Sequence, residues 1–95
     1  MIYSHVSSAS DTAYSLISGF KFSDYKYLIL IVSASSITRG TTIVPTSFFI
    51  SQSGGNAVVY RYAGNNADII FKYKSDTTVS SYNTANMDCI IYGIK

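Results

Sequence analysis

Residues 22–33, FSDYKYLILIVS, contain the chain's longest unbroken apolar run: Tyr27, Leu28, Ile29, Leu30, Ile31 and Val32 follow one another without a polar break. A membrane-spanning helix needs about 20 apolar residues, so the run is too short for that. Its β-branched and aromatic content predicts a long strand over 25–33 that is buried on both faces. On that reading, a charge at Ile29 or Ile31 should abolish folding.

The remaining pattern predicts further short strands separated by turn residues. Residues 2–6 read as an edge strand or an ordered arm, and 13–18 as a short strand ended by Gly19, with Phe20, Lys21 and Phe22 continuing it or bridging to the next element. Ser23 and Asp24 set the turn into the long strand. Residues 34–40, ASSITRG, read as a polar loop ending at Arg39 and Gly40. Residues 41–50, TTIVPTSFFI, read as two strand halves around Pro45, on an edge or bulged, because proline cannot donate to a ladder.

Alternation is clearest in the second half. After the turn signal SQSGGN at 51–56, Val58, Tyr60 and Tyr62 share one parity and Val59, Arg61 and Ala63 the other. Gly64, Asn65 and Asn66 make a tight connection to a strand over 67–74, with Ile69, Phe71 and Tyr73 turned inward. A weaker strand at 77–82, a loop at 83–86 and a closing strand at 87–94 complete the chain. Seven or eight strands at intervals of about ten residues predict an all-β fold, an antiparallel β-sandwich of jelly-roll-like kind, in one domain over 1–95.

Composition strengthens the all-β assignment. There is no Glu and only one Gln (Gln52) and three Leu, against twelve Ile, nine Tyr, eight Thr and sixteen Ser. Formal net charge is +2, from seven Lys/Arg scattered along the chain and five Asp. A scattered distribution lacks the basic stripe of a nucleic-acid-binding surface, so nucleic acid is not an expected partner. The absence of a secretory apolar segment after Met1 and of any membrane-spanning length predicts folding in a cytoplasm without membrane insertion.

Candidate chemistry is sparse. The lone Cys89 excludes an internal disulfide and a cysteine metal cluster, and its apolar neighbours predict an inert buried thiol. His5 is the single histidine, near the N-terminus, a poor place for a triad base or a zinc ligand. Asp11, Asp24, Asp68, Asp76 and Asp88 fall in separate turns and strands, where capping or solvation accounts for each. Two of them would have to be brought within about 5–10 Å by the fold to act as a glycosidase pair. Gly54-Gly55 lacks the lysine and helix of a phosphate-binding loop. No catalytic residue, metal ligand or cofactor is expected.

Three segments taken in order carry a resemblance: GFKFSDYKYLILIVS at 19–33, TTIVPTSFF at 41–49 and the terminal CIIYGIK at 89–95. Together they resemble the C-terminal receptor-binding tip domains of bacteriophage and prophage tail fibres. In that family a glycine-lysine stretch leads into Asp-Tyr and a hydrophobic strand, an isoleucine-valine-proline segment follows, and the chain ends near Tyr-Gly-Ile-Lys. The resemblance implies a non-enzymatic β-sandwich, a homotrimer at the tip of a virion fibre. Its partners would be itself and a host-surface glycan or outer-membrane protein. Fibre tips follow a long shaft, whereas here the domain begins a few residues after Met1, as in an excised domain, a separately encoded tip or a small virion protein. The alternative reading is a structural virion or baseplate domain that mediates assembly without binding a receptor.

Receptor contacts are expected in loops at one end of the sandwich, where amide and hydroxyl groups suit sugar hydrogen bonding. The candidates are Ser53, Gly54 and Asn56, then Gly64, Asn65 and Asn66, with Arg39 at the end of the 34–40 loop and residues 83–86 as further possibilities.

Overall fold

A computed structural model describes residues 1–7, 10–34, 37–52, 57–62, 67–82 and 87–95, with the backbone alone described for 37–39, 57–62 and 67–68. Along the chain come β1 (Tyr3–Val6), β2 (Tyr14–Ser15), a 3-10 turn (Phe22–Asp24), β3 (Tyr27–Ala34), β4 (Ile37–Pro45) and helix α1 (Thr46–Ser51). Then follow β5 (Ala57–Tyr62), β6 (Ala67–Ser75), β7 (Thr78–Tyr82) and β8 (Asp88–Ile94). They form two four-stranded antiparallel sheets, in the orders β1-β8-β3-β4 and β2-β7-β6-β5.

This is an all-β sandwich with eight strands among the described residues, β2 contributing two residues. The nested pairs β1·β8 and β2·β7 are those of a jelly roll. The inner strands instead pair locally, as the hairpin β3–β4 and the meander β5–β6–β7.

The apolar run becomes β3, hydrogen-bonded to β4 on one side and β8 on the other. A strand presents alternate residues to opposite faces, so Leu28, Leu30 and Val32 point inward and are fully buried. With Tyr3, Val44, Cys89 and Ile91 of the same sheet they meet Ile69, Phe71 and Val79 of the other in one cluster. Burying each such aliphatic side chain contributes about 1.5–3 kcal/mol.

The outer face of β3 corrects the expectation of burial on both sides. Ile29 and Ile31 are only half-buried and Tyr27 is exposed. No described residue covers this side, so a charge at Ile29 or Ile31 does not enter the core. Register lines up rows across three strands on that face: Ile94, Tyr27 and Pro45; Tyr92, Ile29 and Ile43; Ile90, Ile31 and Thr41.

Aromatic side chains plug one end of the sandwich. Ring centroids of Phe22 and Phe49 lie 5.4 Å apart, and Tyr73 lies 5.8 and 6.1 Å from them. The plug explains why residues 46–50, expected as a strand, are a helix. Pro45 at φ −59° precedes α1, the Thr46 N–H donates to the Lys26 carbonyl at 2.9 Å, and the turn of helix carries Phe49 inward. TSFFIS has little intrinsic helix preference, so packing decides its form. As expected for an edge position, Pro45 ends the edge strand β4.

Two other boundaries shift. The loop expected over 34–40 is shorter, because β4 begins at Ile37 and Gly40 pairs with Val32 beside a bulge. The strand expected over 13–18 is reduced to Tyr14–Ser15, after which the chain turns through Gly19 at φ +93°, a geometry that favours glycine.

Gly93 makes the closest packing contact of the terminal segment. It faces inward on β8, and a Cβ there would overlap the Tyr25 ring, which packs against the core beside Phe20. Gly93→Ala should therefore cost about 1–3 kcal/mol by overpacking in urea unfolding, and the cost should vanish in a Tyr25→Ala background if the ring is its cause. Leu30→Ala should cost about 2–5 kcal/mol, whereas Ile43→Ala on the outer face should stay within about 0.5 kcal/mol when both are measured in the same unfolding assay on the monomer.

Candidate binding end of the sandwich

Register determines which strand ends share a side of the molecule. In the first sheet Asp88 is level with Val6 and Ser33, and Ile37 with Ala34, so the ends of β1 and β3 lie beside the starts of β4 and β8. In the second sheet Tyr62 pairs with Ala67 and Ile70 with Tyr82, so the ends of β5 and β7 lie beside the start of β6. The short step from Tyr82 to Asp88 ties the two groups together. The strand ends that flank 35–36, 63–66 and 83–86 thus share one end, whereas the β1–β2 connection starts there at Val6 and reaches Tyr14 opposite Val79, near the start of β7. The aromatic plug and α1 occupy the opposite end.

The candidate residues divide on this axis. Gly64, Asn65 and Asn66 lie outside the described residues, in the connection that leaves this end between β5 and β6. Arg39 is near the same end, but its backbone is in strand β4 and not in a loop as expected, and its side chain is not described. Ser53, Gly54 and Asn56 also lie outside the described residues, in the connection that departs from α1 at the plugged end. Of these candidates Arg39 is the one whose backbone the fold places, near the end that Tyr62 and Ala67 also mark.

The connection between β1 and β2 is tied down by charge. The Asp11 carboxylate accepts from Lys74 Nζ at 2.8 Å and Lys72 Nζ at 3.3 Å. Both lysines have the outward parity of β6, opposite to Ile69, Phe71 and Tyr73. Lys74 is the chief reason that the Asp11 carboxyl is held down at about 2. The Ser80 hydroxyl, under the same segment, is near enough to lower it further but makes no well-formed hydrogen bond. Sequence inspection assigned no partner to Asp11; the matched parity of Lys72 and Lys74 was the available signal.

His5 and Tyr14 close the neighbouring seam between the sheets. Their rings stack with centroids 3.8 Å apart, and His5 Nδ1 donates to the Val6 carbonyl at 2.7 Å. Inside, the Tyr3 hydroxyl and Ser81 Oγ share a hydrogen bond of 2.9 Å across the sandwich, which satisfies both buried groups. Burial raises the Tyr3 hydroxyl above its ordinary pKa and pushes the Cys89 thiol up to about 11. Cys89 is fully buried, with its thiol 3.6 Å from the Met87 carbonyl, so the protonated, unreactive form prevails at neutral pH.

Asp76 serves the plugged end, accepting from the Ser23 backbone N–H at 2.9 Å and the Ser23 hydroxyl at 2.7 Å. Among the described residues, no three His, Cys, Asp or Glu side chains gather where they could hold a metal ion. No described helix is long and apolar enough to cross a membrane.

Comparison with protein-family models, with curated proteins and with solved structures finds no match for this chain.

The Asp11 tie has a pH signature. Its folded pKa lies below the ordinary 3.8, so its stabilisation is full above that value and is lost as pH falls toward about 2. Asp11→Asn should cost no more than about 1 kcal/mol at neutral pH, since the pair is partly exposed and screened. The difference from wild type should shrink through that acid window in denaturation curves recorded against pH.

Proposed function

We infer that the chain is a non-enzymatic tail-fibre tip domain of a bacteriophage or prophage that binds a glycan or outer-membrane protein on its bacterial host. It acts as a homotrimer on the virion and is assembled in the bacterial cytoplasm. The observation that carries the reading is that the described strand ends flanking three connections, Ala34 and Ile37, Tyr62 and Ala67, and Tyr82 and Asp88, lie at one end of the sandwich. The sequences of these connections, including SS at 35–36, AGNN at 63–66 and NTAN at 83–86, supply hydroxyl and amide groups. β8 leaves the sheet at the plugged end and β1 enters at mid-height, opposite Ile91. Attachment through either terminus leaves the loop end facing outward.

The segments that carry the family resemblance support the same reading by their placement. Though far apart in sequence, they include β3, β4 and β8, which are adjacent in one sheet, and Gly93 of the terminal Tyr-Gly-Ile-Lys receives the ring of Tyr25 from the Asp-Tyr pair. The motifs thus belong to one packed unit.

A second reading, a structural virion domain that mediates assembly alone, is favoured by the exposed apolar rows on the outer sheet face. Adsorption of the purified domain to host cells and to a glycan array separates the two. The double replacements Asn65→Ala with Asn66→Ala, and Asn83→Ala with Asn86→Ala, should each weaken adsorption about tenfold or more, the loss of roughly one or two hydrogen bonds to a ligand. Asn56→Ala tests the other candidate loop in the same assay, and unchanged adsorption there counts against that loop. Full adsorption by both double variants sinks the loop-end assignment, and no adsorption by wild type leaves the assembly reading.

A further inference from the structure

The outer face of the β1-β8-β3-β4 sheet is apolar where a sheet facing water alternates to polar residues. Ile43 is 64% exposed, Tyr27 46%, Tyr92 42% and Ile94 40%, with Ile29 half-buried between them. The three rows on this face contain no charged side chain. Charges stand beyond their two ends: Asp88 on one side, Lys26 and Lys95 on the other.

We propose that this face is where copies of the chain meet, each copy covering the same rows of its neighbours. The inference rests on the functional reading above only for the number of copies, three. The rows expose roughly 500 Å² of apolar surface on each copy, within the upper range that monomers tolerate. Facing copies would together bury on the order of 1,000 Å² or more, the threshold for a specific interface. An uncharged sheet face offers no complement to nucleic acid or to an acidic protein, and with Lys26 and Lys95 at one end answered by Asp88 at the other, the described side chains form no basic rim to draw it onto an anionic membrane. Further copies bring the same uncharged apolar rows, and three of them with these faces turned to a common three-fold axis form a closed assembly.

The arrangement also assigns a role to the parity of β3. Leu28, Leu30 and Val32 build the fold of one chain, while Tyr27 and Ile29, with Ile43 and Tyr92 beside them, build the contact between chains. A core mutation and an outer-face mutation should therefore fail in different ways.

The test compares sedimentation velocity of the whole chain with that of Ile43→Lys and Tyr92→Lys, with circular dichroism and thermal melts to establish folding. The milder Ile43→Thr serves if a charged variant does not fold. Wild type should sediment as an oligomer at micromolar concentration, and the variants as folded species associating at least about 100-fold more weakly, about 2.7 kcal/mol of lost contact. A wild-type monomer would overturn the proposal together with the trimeric reading. An oligomer unchanged in all three variants would overturn the face assignment alone and leave the fibre-tip reading standing. Flotation of wild type, but not of Ile43→Lys, with uncharged phosphatidylcholine vesicles would overturn it in favour of a lipid surface. Host adsorption is scored separately, through the asparagine variants at the loop end, so failure there does not bear on this face.

Discussion

Strand β3 must satisfy two requirements at once: hydrogen-bonded partners along both edges and apolar contact for side chains of both parities. Every large feature of the fold answers one of them. β4 and β8 complete its two ladders, so both are drawn into the same sheet. The second sheet supplies Ile69, Phe71 and Val79 against the inward parity. For the outward parity no described residue supplies cover, and Tyr27 with Ile29 and Ile31 meets solvent along an apolar face. The sandwich solves its own packing on one side of β3 and leaves the other side exposed.

The two ends of the sandwich are physically unlike. At one, Phe22, Phe49 and Tyr73 pack edge to face, Tyr25 covers Gly93, and Asp76 holds the Ser23 turn, so the backbone is gripped by buried rings and short hydrogen bonds. The other gathers the connections that leave both sheets. A scaffold closed by a plug at one end can carry variable connections at the other with little cost to its core. That division supports recognition at the loop end and attachment away from it.

Among the described residues, buried polar side chains are few, and one pair spans the layers while the Thr46 and Ser80 hydroxyls have no well-formed hydrogen bond. Tyr3 on β1 and Ser81 on β7 join the sheets by a hydroxyl pair, and misaligning the sheets would leave two buried hydroxyls without partners, a penalty of about 1–3 kcal/mol for each. Cys89 sits beside them fully buried. These groups specify how the sheets face each other; their burial keeps them away from any reactant.

The sequence by itself determined the all-β class, the central strand, the inward parity of Ile69, Phe71 and Tyr73, the edge position of Pro45 and the burial of Cys89. Each depends on local propensity or a period of two, which a single chain displays. Tertiary structure decided the rest. Residues 46–51 became helix because the plug needed Phe49 turned inward, against the strand preference of TSFFIS. Residues 37–40 joined β4 because Val32 and Ala34 offered a ladder to extend. Which strand ends share a side of the molecule, Val6, Ser33 and Asp88 in one sheet and Tyr62, Ala67 and Tyr82 in the other, depends on register between strands far apart in sequence. The unbroken run from Tyr27 to Val32 could not reveal which parity faced the core, since both were apolar; the position of the second sheet assigned Leu28, Leu30 and Val32 inward and left Ile29 and Ile31 on the open face.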